Sequence, residues 1–513
     1  MLHVTRRMFA LPMCLLAAAA SACGGYGGKL KMATPYKMAA NPNAPVAVAD
    51  GARKPNTERY GKIVENEFRD TAKHPTSTFS IDVDTAAYSN VRRFLTSGKL
   101  PPRDAVRIEE MINYFGYDYP EPTGNQPFSI ITEVGPAPWN AKHELLHIGL
   151  KGRSIAADKM PARNLVFLLD VSGSMGSSDK LPLLMRGLSL LVNNLNENDS
   201  VAIVVYAGAS GVVLPPTRGD DKHAILGALN RLRAGGSTNG GAGINLAYAL
   251  AQKHFDKNGI NRVILATDGD FNVGSTSRSA LVELIERKRK SGVYLSVLGF
   301  GRGNIKDDTM EMLADKGNGN YAYIDSLAEA RKVLVTQAGG TLVTIAKDVK
   351  IQLALDAKQV ASYRLIGYEN RMLSKEDFKD DRKDAGEIGA GHTVTALYEL
   401  VPADGATGAS VATVKLRYKQ PKATKSVGFQ VPVTGARADL KATSTDFKLS
   451  AAVAAFGMLL RDSKHKGTAS YAMAAQLAEA SLRRDAHGYR RQLVGLINKA
   501  AALAGHTSKA VAR

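Results

Sequence analysis

The sequence predicts an α/β protein in which a doubly wound, mostly parallel sheet is inserted in a β-sandwich, with small helical units at both ends of the chain. Three observations predict this fold. Residues 161–344 alternate all-apolar strand segments with amphipathic helices, residues 128–151 and 343–433 alternate apolar and polar side chains between turn signals, and three helical patterns follow Asp446. At 513 residues and 44% hydrophobic content, the chain is long enough to bury several cores.

The central segment contains the most apolar strand patterns. "NLVFLLD", "SVAIVVYAG", "RVILATDG" and "VYLSVLGFG" are almost entirely apolar, and amphipathic stretches of helical length lie between them. Strands that are buried on both faces and joined by helical crossovers are typical of an open parallel sheet with helices on both sides. Such sheets place their functional sites in the crevice at the carboxyl ends of the strands.

Two separate pieces of chain predict the sandwich. "FSIITEVG" and "ELLHIGLKG" precede the central segment, and "KDVKIQLAL", "ATVKLRYKQ" and "SVGFQVPVTG" follow it, all with the period of two that a half-buried strand requires. Ahead of the sandwich, helical spacing from Tyr88 to Leu95 and again from Val106 to Phe115 predicts a small, mainly helical unit. The three C-terminal helices have Ala and Leu faces, which indicate packing against the rest of the chain.

These patterns divide the chain into seven predicted segments. They are a lipoprotein signal peptide (1–22), a flexible tether (23–60), an N-terminal helical region (61–125), the first part of the β-sandwich (126–160), the doubly wound domain (161–344), the second part of the sandwich (345–435) and a C-terminal helical region (436–513). The tether is rich in Gly, Pro, Ala and Asn and shows neither helical nor strand period. As a flexible coil it would hold the folded part on the order of 30 Å from its attachment point.

The first residues have the features of an export signal. Arg6 and Arg7 form a positive region, Phe9–Ala20 is an apolar run, and a small-residue cleavage site ends at Cys23. This cysteine resembles that of a bacterial lipobox, which implies cleavage before Cys23 and a lipid attached to it. Ala20 departs from the usual Leu of that motif, so plain secretion stays open. By resemblance to lipoprotein sorting rules, Gly24 in place of Asp favours an outer-membrane anchor facing the periplasm of a bacterial cell envelope.

The composition is basic, with a formal charge of +19 from 67 Lys and Arg against 48 Asp and Glu. A basic protein attracts anionic envelope polymers or lipid headgroups, but these residues are spread along the chain, so a diffusely basic surface is the favoured interpretation. They do not cluster into a nucleic-acid-binding stripe, and we expect no nucleic-acid partner. Apart from the signal, no uninterrupted apolar segment approaches 18 residues, so nothing else is predicted to span a bilayer.

Short oxygen-bearing side chains follow the apolar strands. Asp170, Ser172 and Ser174 come after "NLVFLL", Thr238 lies in the Gly-rich loop "GGSTNGG", and Asp268 ends "RVILATD". Because the carboxyl ends of parallel strands meet at one edge of a sheet, we expect these five residues to lie close together. Two carboxylates and three hydroxyls, without His or Cys, suit a hard cation: Mg²⁺, or else Mn²⁺ or Ca²⁺.

The motif D-x-S-x-S, a Thr from a Gly-rich loop and an Asp in T-D-G together resemble the metal-ion-dependent adhesion site of von Willebrand factor A (VWA) domains. The resemblance implies that Ser172, Ser174 and Thr238 approach the metal directly or nearly so, and that Asp170 and Asp268 act largely through waters. In that family a partner's carboxylate commonly completes the coordination. The flanking segments "STFSIDVDTAAYSNVRRFL", "MINYFGYDYP" and "RLIGYENRMLSKEDFKDDRKDAGEIGAGHTVTALYE" resemble those of a bacterial family of VWA-domain lipoproteins, whose N-terminal VWA-associated region and C-terminal helical region they imply here.

A competing motif lies at residues 143–147. His143, Glu144 and His147 match H-E-x-x-H, the helical zinc motif of metallopeptidases, which would make the protein a hydrolase. The apolar residues Ile148 and Leu150 continue with a period of two, however, which predicts a strand. On a strand the two histidines would lie about 13 Å apart, too far to share one zinc ion. The strand is the favoured interpretation.

Two other motifs favour structural roles. "GFGRGN" at 299–304 has Asn304 where a dinucleotide-binding motif requires its last Gly, so a loop at the sheet edge is favoured and no nucleotide is expected. Asp82 and Asp84 share one face of a strand ahead of a helix, and a helix cap at Asp84 or Thr85 is favoured over a second metal site.

The favoured hypothesis is a non-enzymatic binding module. It is a lipid-anchored envelope protein whose VWA domain binds a divalent cation and uses it to capture an acidic side chain of a protein partner. Two alternatives stay open: a zinc hydrolase that uses residues 143–147, and a structural envelope protein whose metal site is idle.

Overall fold

The computed structural model describes residues 56–238, 240–269, 278–407, 410–434 and 439–511. The predicted signal peptide, Cys23 and most of the predicted tether lie outside these residues. The described residues belong to one compact unit. None of the helices within them is both long and apolar enough to cross a bilayer.

The strands, in chain order, are β1 (Arg69–Asp70), β2 (Thr76–Ser80), β3 (Phe128–Ala137), β4 (Asn140–Gly152), β5 (Arg163–Asp170), β6 (Ser200–Tyr206), β7 (Ser210–Arg218), β8 (Ile260–Thr267), β9 (Tyr294–Phe300), β10 (Tyr321–Ile324), β11 (Thr344–Leu355), β12 (Val360–Ile366), β13 (Met372–Leu373), β14 (Gly386–Gly389), β15 (Thr393–Pro402), β16 (Ala412–Lys419) and β17 (Val427–Val433).

The α-helices are α1 (Ala86–Thr96), α2 (Ile108–Asn113), α3 (Leu181–Asn193), α4 (Lys222–Asn230), α5 (Gly240–Lys253), α6 (Arg278–Arg289), α7 (Asp307–Lys316), α8 (Leu327–Arg331), α9 (Ala338–Leu342), α10 (Thr445–Arg461), α11 (Tyr471–Glu479) and α12 (Tyr489–Val511). A π-helical turn, Lys332–Thr336, continues α8 towards α9.

The central sheet has the order β10-β9-β8-β5-β6-β7, in which β7 is antiparallel and the other strands are parallel. Successive side chains of β5 point to opposite faces of this sheet. Leu165 and Phe167 pack in the same core as α3 and α4, whereas Val166 and Leu168 pack in the same core as α5 and α7. The doubly wound α/β fold is therefore confirmed, and the apolar composition of β5 follows from its burial on both faces.

The other two sheets are antiparallel and form the sandwich. Their orders are β1-β12-β15-β4-β3 and β13-β2-β11-β16-β17, with β14 paired to β11. Leu146 and Ile148 of β4 share one apolar core with Ile351 and Leu353 of β11. The alternating patterns predicted this sandwich, which is built from two pieces of chain that the VWA-like sheet separates in sequence.

The N-terminal region contributes strands as well as helices. β2 pairs with β11, placing Phe79 opposite Ile351, and β1 pairs with β12. The sequence predicted a mainly helical unit here. The structure instead joins this region to the sandwich, because Phe79 is fully buried only when β2 adds its apolar face to the second sheet.

Helices from the two ends of the chain pack on each other. α1 and α2 share a core with α10, α11 and α12, and within it the rings of Tyr88 and Tyr114 stack at 3.9 Å between centroids. α10 and α2 approach closely at Gly457, where a Cβ would lie 2.7 Å from a side-chain carbon of Ile108. The C-terminal helices thus complete the core of the N-terminal region.

Candidate functional site

The two predicted acidic residues lie at the ends of neighbouring parallel strands. β5 and β8 are paired with Leu169 opposite Ala266, so Asp170 at the end of β5 and Asp268 just after β8 reach the same edge of the sheet. Both side chains are fully buried. β5 is also the strand from which the chain passes first to β6 on one side and later to β8 on the other, and a crevice forms at such a point.

The turn after β5 brings two hydroxyls to the same place. Asp170 Oδ1 accepts a hydrogen bond of 2.9 Å from the Ser172 backbone N–H, and the chain then enters a 3₁₀ turn over Gly173–Gly176. The Oγ atoms of Ser172 and Ser174 lie 3.0 Å apart. Ser172 is buried, whereas Ser174 is half-buried. The hydroxyls therefore lie between the buried carboxylates and the surface.

The loop that carries Thr238 is held against this turn by main-chain hydrogen bonds. Gly173 N–H donates to the Gly236 carbonyl at 3.0 Å, and Gly235 N–H donates to the Val171 carbonyl at 2.8 Å. Gly236 has a φ of +79°, a backbone conformation that favours glycine. Thr238 itself is half-buried. The structure thus places all five predicted residues at one edge of the sheet, and metal binding by them stays a prediction.

Two residues of the site were not singled out in the sequence. Thr267 Oγ1 donates to Asp170 Oδ2 at 3.1 Å and accepts from the Gly269 N–H at 3.1 Å, which fixes the Asp268 loop to the Asp170 carboxylate. Lys180 Nζ donates to Asp268 Oδ2 at 2.7 Å and to the Ser174 carbonyl at 3.0 Å. Thr267 belongs to the T-D-G motif, so its position was available as a signal. Lys180 sits in a loop beside a helix start, which gives no signal of its own.

The charges at this edge favour a cation. Burial raises the pKa of Asp170, the hydrogen bonds from Ser172 lower it in part, and the nearby Asp268 carboxylate raises it further. Two carboxylates with one ammonium leave a net charge of about −1 when both acids are ionised. A hard divalent cation fits this donor set, because carboxylate and hydroxyl oxygens are the ligands it prefers. Asp170, Ser172, Ser174, Thr238 and Asp268 would hold it.

The competing zinc motif lies on a strand. His143, Glu144 and His147 are part of β4, which pairs with β3 on one side and β15 on the other. His147 is fully buried between the Tyr119 hydroxyl, 2.8 Å from Nε2, and the Ser450 hydroxyl, 2.9 Å from Nδ1. The strand interpretation is confirmed, and the helical geometry that a zinc peptidase requires is absent from residues 143–147.

Asp82 and Asp84 belong to a buried ion-pair network. Of the two residues predicted as the helix cap, Thr85 occupies the N-cap position of α1 but its side chain makes no capping hydrogen bond. Asp84 is not at the N-cap position, and its Oδ1 accepts from the Tyr321 N–H at 2.7 Å. Asp82, Glu110 and Glu311 converge so that their oxygens lie within 4.8 Å of one another. Arg107 and Arg371 pair with these acids. The network joins the N-terminal region to α7 of the central domain and to the loop after β12.

Three family descriptions match this chain. "von Willebrand factor type A domain" matches residues 164–337, "von Willebrand factor" matches residues 54–147, and "Uncharacterized protein YfbK, C-terminal" matches residues 340–503. The fold and the first of these matches define the class: the central domain is a VWA domain, and domains of this class are protein-interaction modules.

The relatives define the family within this class. YfbK of Escherichia coli (strain K12) is 42% identical over an alignment of 498 positions, which covers 92% of this chain and 85% of YfbK. The chain therefore belongs to the bacterial family of VWA-domain proteins that includes YfbK. The protein sll0103 of a Synechocystis species is 26% identical over 185 residues, 36% of this chain and 43% of that protein.

Among solved structures, the von Willebrand factor type A protein from Catenulispora acidiphila covers 72% of this chain and 91% of its own, with a TM-score of 0.43 and 16% identity. The ArnB paralog VWA2 from Sulfolobus acidocaldarius covers 74% of this chain and 98% of its own, with a TM-score of 0.38 and 15% identity.

Proposed function

We propose that this protein is a non-enzymatic binding module of the cell envelope, in which the VWA domain holds a divalent cation and uses it to bind an acidic side chain of a protein partner. The observation that carries the proposal is the convergence of Asp170, Asp268 and the Ser172 and Ser174 hydroxyls at the ends of two adjacent strands. Mg²⁺ is the expected ion, with Mn²⁺ or Ca²⁺ as substitutes, because all donors are hard oxygens.

The burial gradient across the site supports an anionic ligand from outside. Asp170 and Asp268 are fully buried, whereas Ser174 and Thr238 are half-buried and lie towards solvent. A cation held from the buried side would keep coordination positions open towards the surface, since Mg²⁺ commonly keeps several waters in protein sites. A carboxylate of a partner is the ligand that replaces such a water while adding the charge the ion still lacks.

The first test is calorimetric titration of the full chain with Mg²⁺, Mn²⁺, Ca²⁺ and Zn²⁺. Asp170→Ala is expected to abolish hard-cation binding and to leave the circular dichroism spectrum unchanged. His143→Ala is the control, because it changes the competing zinc motif and leaves the VWA site intact. Equal hard-cation binding by the wild type and Asp170→Ala would overturn the proposal.

The envelope location rests on the predicted lipid at Cys23, and we propose an outer-membrane anchor with the protein facing the periplasm. The sequence offers a matched control, since the other cysteine, Cys14, lies within the predicted signal. Cells that express Cys23→Ala are expected to incorporate no labelled fatty acid into the protein, whereas Cys14→Ala is labelled like the wild type. Fractionation of the two membranes then locates the labelled protein. Labelling that survives Cys23→Ala would refute the anchor.

A further inference from the structure

Lys180 is a buried cation inside the proposed metal site. Its side chain is only 9% exposed, and its ammonium donates to Asp268 Oδ2 at 2.7 Å and to the Ser174 carbonyl at 3.0 Å. Both acceptors belong to segments that carry proposed ligands. An ammonium placed between them neutralises a buried carboxylate that would otherwise be costly to keep ionised.

The position of the ammonium is built into the fold. The aliphatic part of Lys180 packs over Gly301, where a Cβ would lie only 2.2 Å from Lys180 Cε and 2.4 Å from Cγ. Gly301 has a φ of +78°, so glycine is favoured there for its backbone conformation as well. The residue after Lys180 begins α3, whose apolar side packs in the core. The lysine is therefore directed along one path, from the start of α3 across the loop after β9 to Asp268.

We propose that Lys180 is an internal counter-cation of the metal site, which neutralises Asp268 in the metal-free protein and weakens metal binding by competing for that carboxylate. The inference rests on the proposed function and adds to it the residue that sets the affinity. A divalent cation that approaches Asp268 meets the ammonium at hydrogen-bond distance from the same oxygen. The ion must displace Lys180 or bind against its repulsion.

The charge count also indicates the class of ligand. Asp170 and Asp268 contribute −2, a divalent cation +2 and Lys180 +1, so the metal-loaded site carries about +1 when both acids are ionised. Without Lys180 the same site would be neutral. Lys180 thus makes the loaded site prefer an anionic group, in agreement with capture of a carboxylate. The same residue therefore weakens binding of the metal ion and strengthens binding of the acidic partner.

The test compares metal binding by full-length variants, with Mg²⁺ and Mn²⁺ alone as probes. Lys180→Met keeps the length and packing of the side chain and removes its charge, and it is expected to bind both ions about tenfold more tightly than the wild type. Lys180→Arg keeps the charge and is expected to bind within about threefold of the wild type. Lys180→Gln serves the same comparison if the Met variant does not fold.

Lys222→Met is the matched control. Like Lys180, Lys222 donates to the main chain, here to the carbonyls of Val192 and Leu195 at 2.5 and 2.7 Å, but it pairs with neither acid of the site. Its substitution should leave metal affinity unchanged. Thermal melting gives a second readout: metal-free Lys180→Met should melt below the wild type because Asp268 loses its ammonium, and Mg²⁺ should raise its melting temperature more than that of the wild type.

The outcomes separate this inference from the function on which it rests. Equal affinities in the wild type, Lys180→Met and Lys222→Met, with binding lost in Asp170→Ala, would overturn the role of Lys180 and leave the metal site standing. Weaker binding in Lys180→Met would also overturn it. No hard-cation binding by the wild type or by Lys180→Met would overturn both proposals.

Discussion

Replacing His147 by Gln should make the protein less sensitive to acid. His147 is fully buried on β4, and burial lowers its pKa from 6.5 to about 3. The folded protein therefore keeps this ring neutral down to about pH 3, whereas the unfolded chain takes up a proton near pH 6.5. The stability that the neutral ring allows is fully present above pH 6.5 and is lost as the pH falls towards the folded pKa.

The size of the effect follows from these two pKa values. Between pH 8 and pH 5, protonation of the histidine stabilises the unfolded state only below pH 6.5, that is, over about 1.5 pH units. At 1.36 kcal/mol per unit, this lowers the free energy of unfolding by about 2 kcal/mol. A glutamine side chain cannot take up the proton, so the His147→Gln variant lacks this loss. Other buried groups with shifted pKa values, such as His392 with a pKa of about 4, are the same in both proteins and cancel in the comparison.

The assay is urea unfolding of the full chain at pH 8 and pH 5. The wild type should lose about 2 kcal/mol more than His147→Gln between the two pH values. His74→Gln is the control, because His74 is exposed and its replacement should leave the wild-type pH dependence unchanged. An equal loss in the wild type and His147→Gln would refute the argument that burial holds this histidine neutral.

Three further substitutions test individual contacts. Arg107→Met leaves buried acids without their cation and should lower the free energy of unfolding by about 3–5 kcal/mol in urea, whereas an unchanged value would contradict the ion-pair network. Ser444→Ala removes the hydrogen bond of 3.0 Å that caps α10 at the Phe447 N–H and should cost about 1 kcal/mol in the same assay. Glu58→Gln replaces the carboxylate that accepts from the Gly303 N–H at 2.7 Å by a neutral amide, which weakens this hydrogen bond. Hydrogen exchange at Gly303 should therefore become faster, and unchanged exchange would contradict this role.

The central sheet was predictable because each of its strands can be recognised from its own short segment of sequence. Each strand, such as "NLVFLLD", is apolar along its whole length, and burial on both faces requires that composition. The pairing of β2 with β11 was not predictable in this way. Phe79 and Ile351 are opposite each other in the sheet but lie in distant parts of the chain. Alternation of apolar and polar residues predicts a strand, but it does not indicate which other strand pairs with it.

The candidate site was likewise predictable only in part. The five oxygen-bearing residues follow apolar strands or lie in a Gly-rich loop, so parallel topology alone places them at one edge. Lys180 could not be placed from sequence, because its ammonium reaches Asp268 only by crossing Gly301, which comes from the loop after another strand. A side chain whose direction depends on a distant loop leaves no periodic signal. The motif alone therefore did not predict the charge balance of the site, through which we propose that Lys180 tunes metal affinity.

The chain enters the folded unit at the edge that carries this site. The Thr57 N–H donates to the Gly303 carbonyl at 2.9 Å, and the Arg59 N–H donates to the Ile305 carbonyl at 2.8 Å, so the segment runs along the loop after β9. That loop lies against Gly269, next to Asp268, where a Cβ would be 2.6 Å from the Lys306 nitrogen. Residues 57–59 therefore brace the loop after β9 that packs against the segment carrying Asp268, which ties the start of the described chain to the geometry of the candidate site.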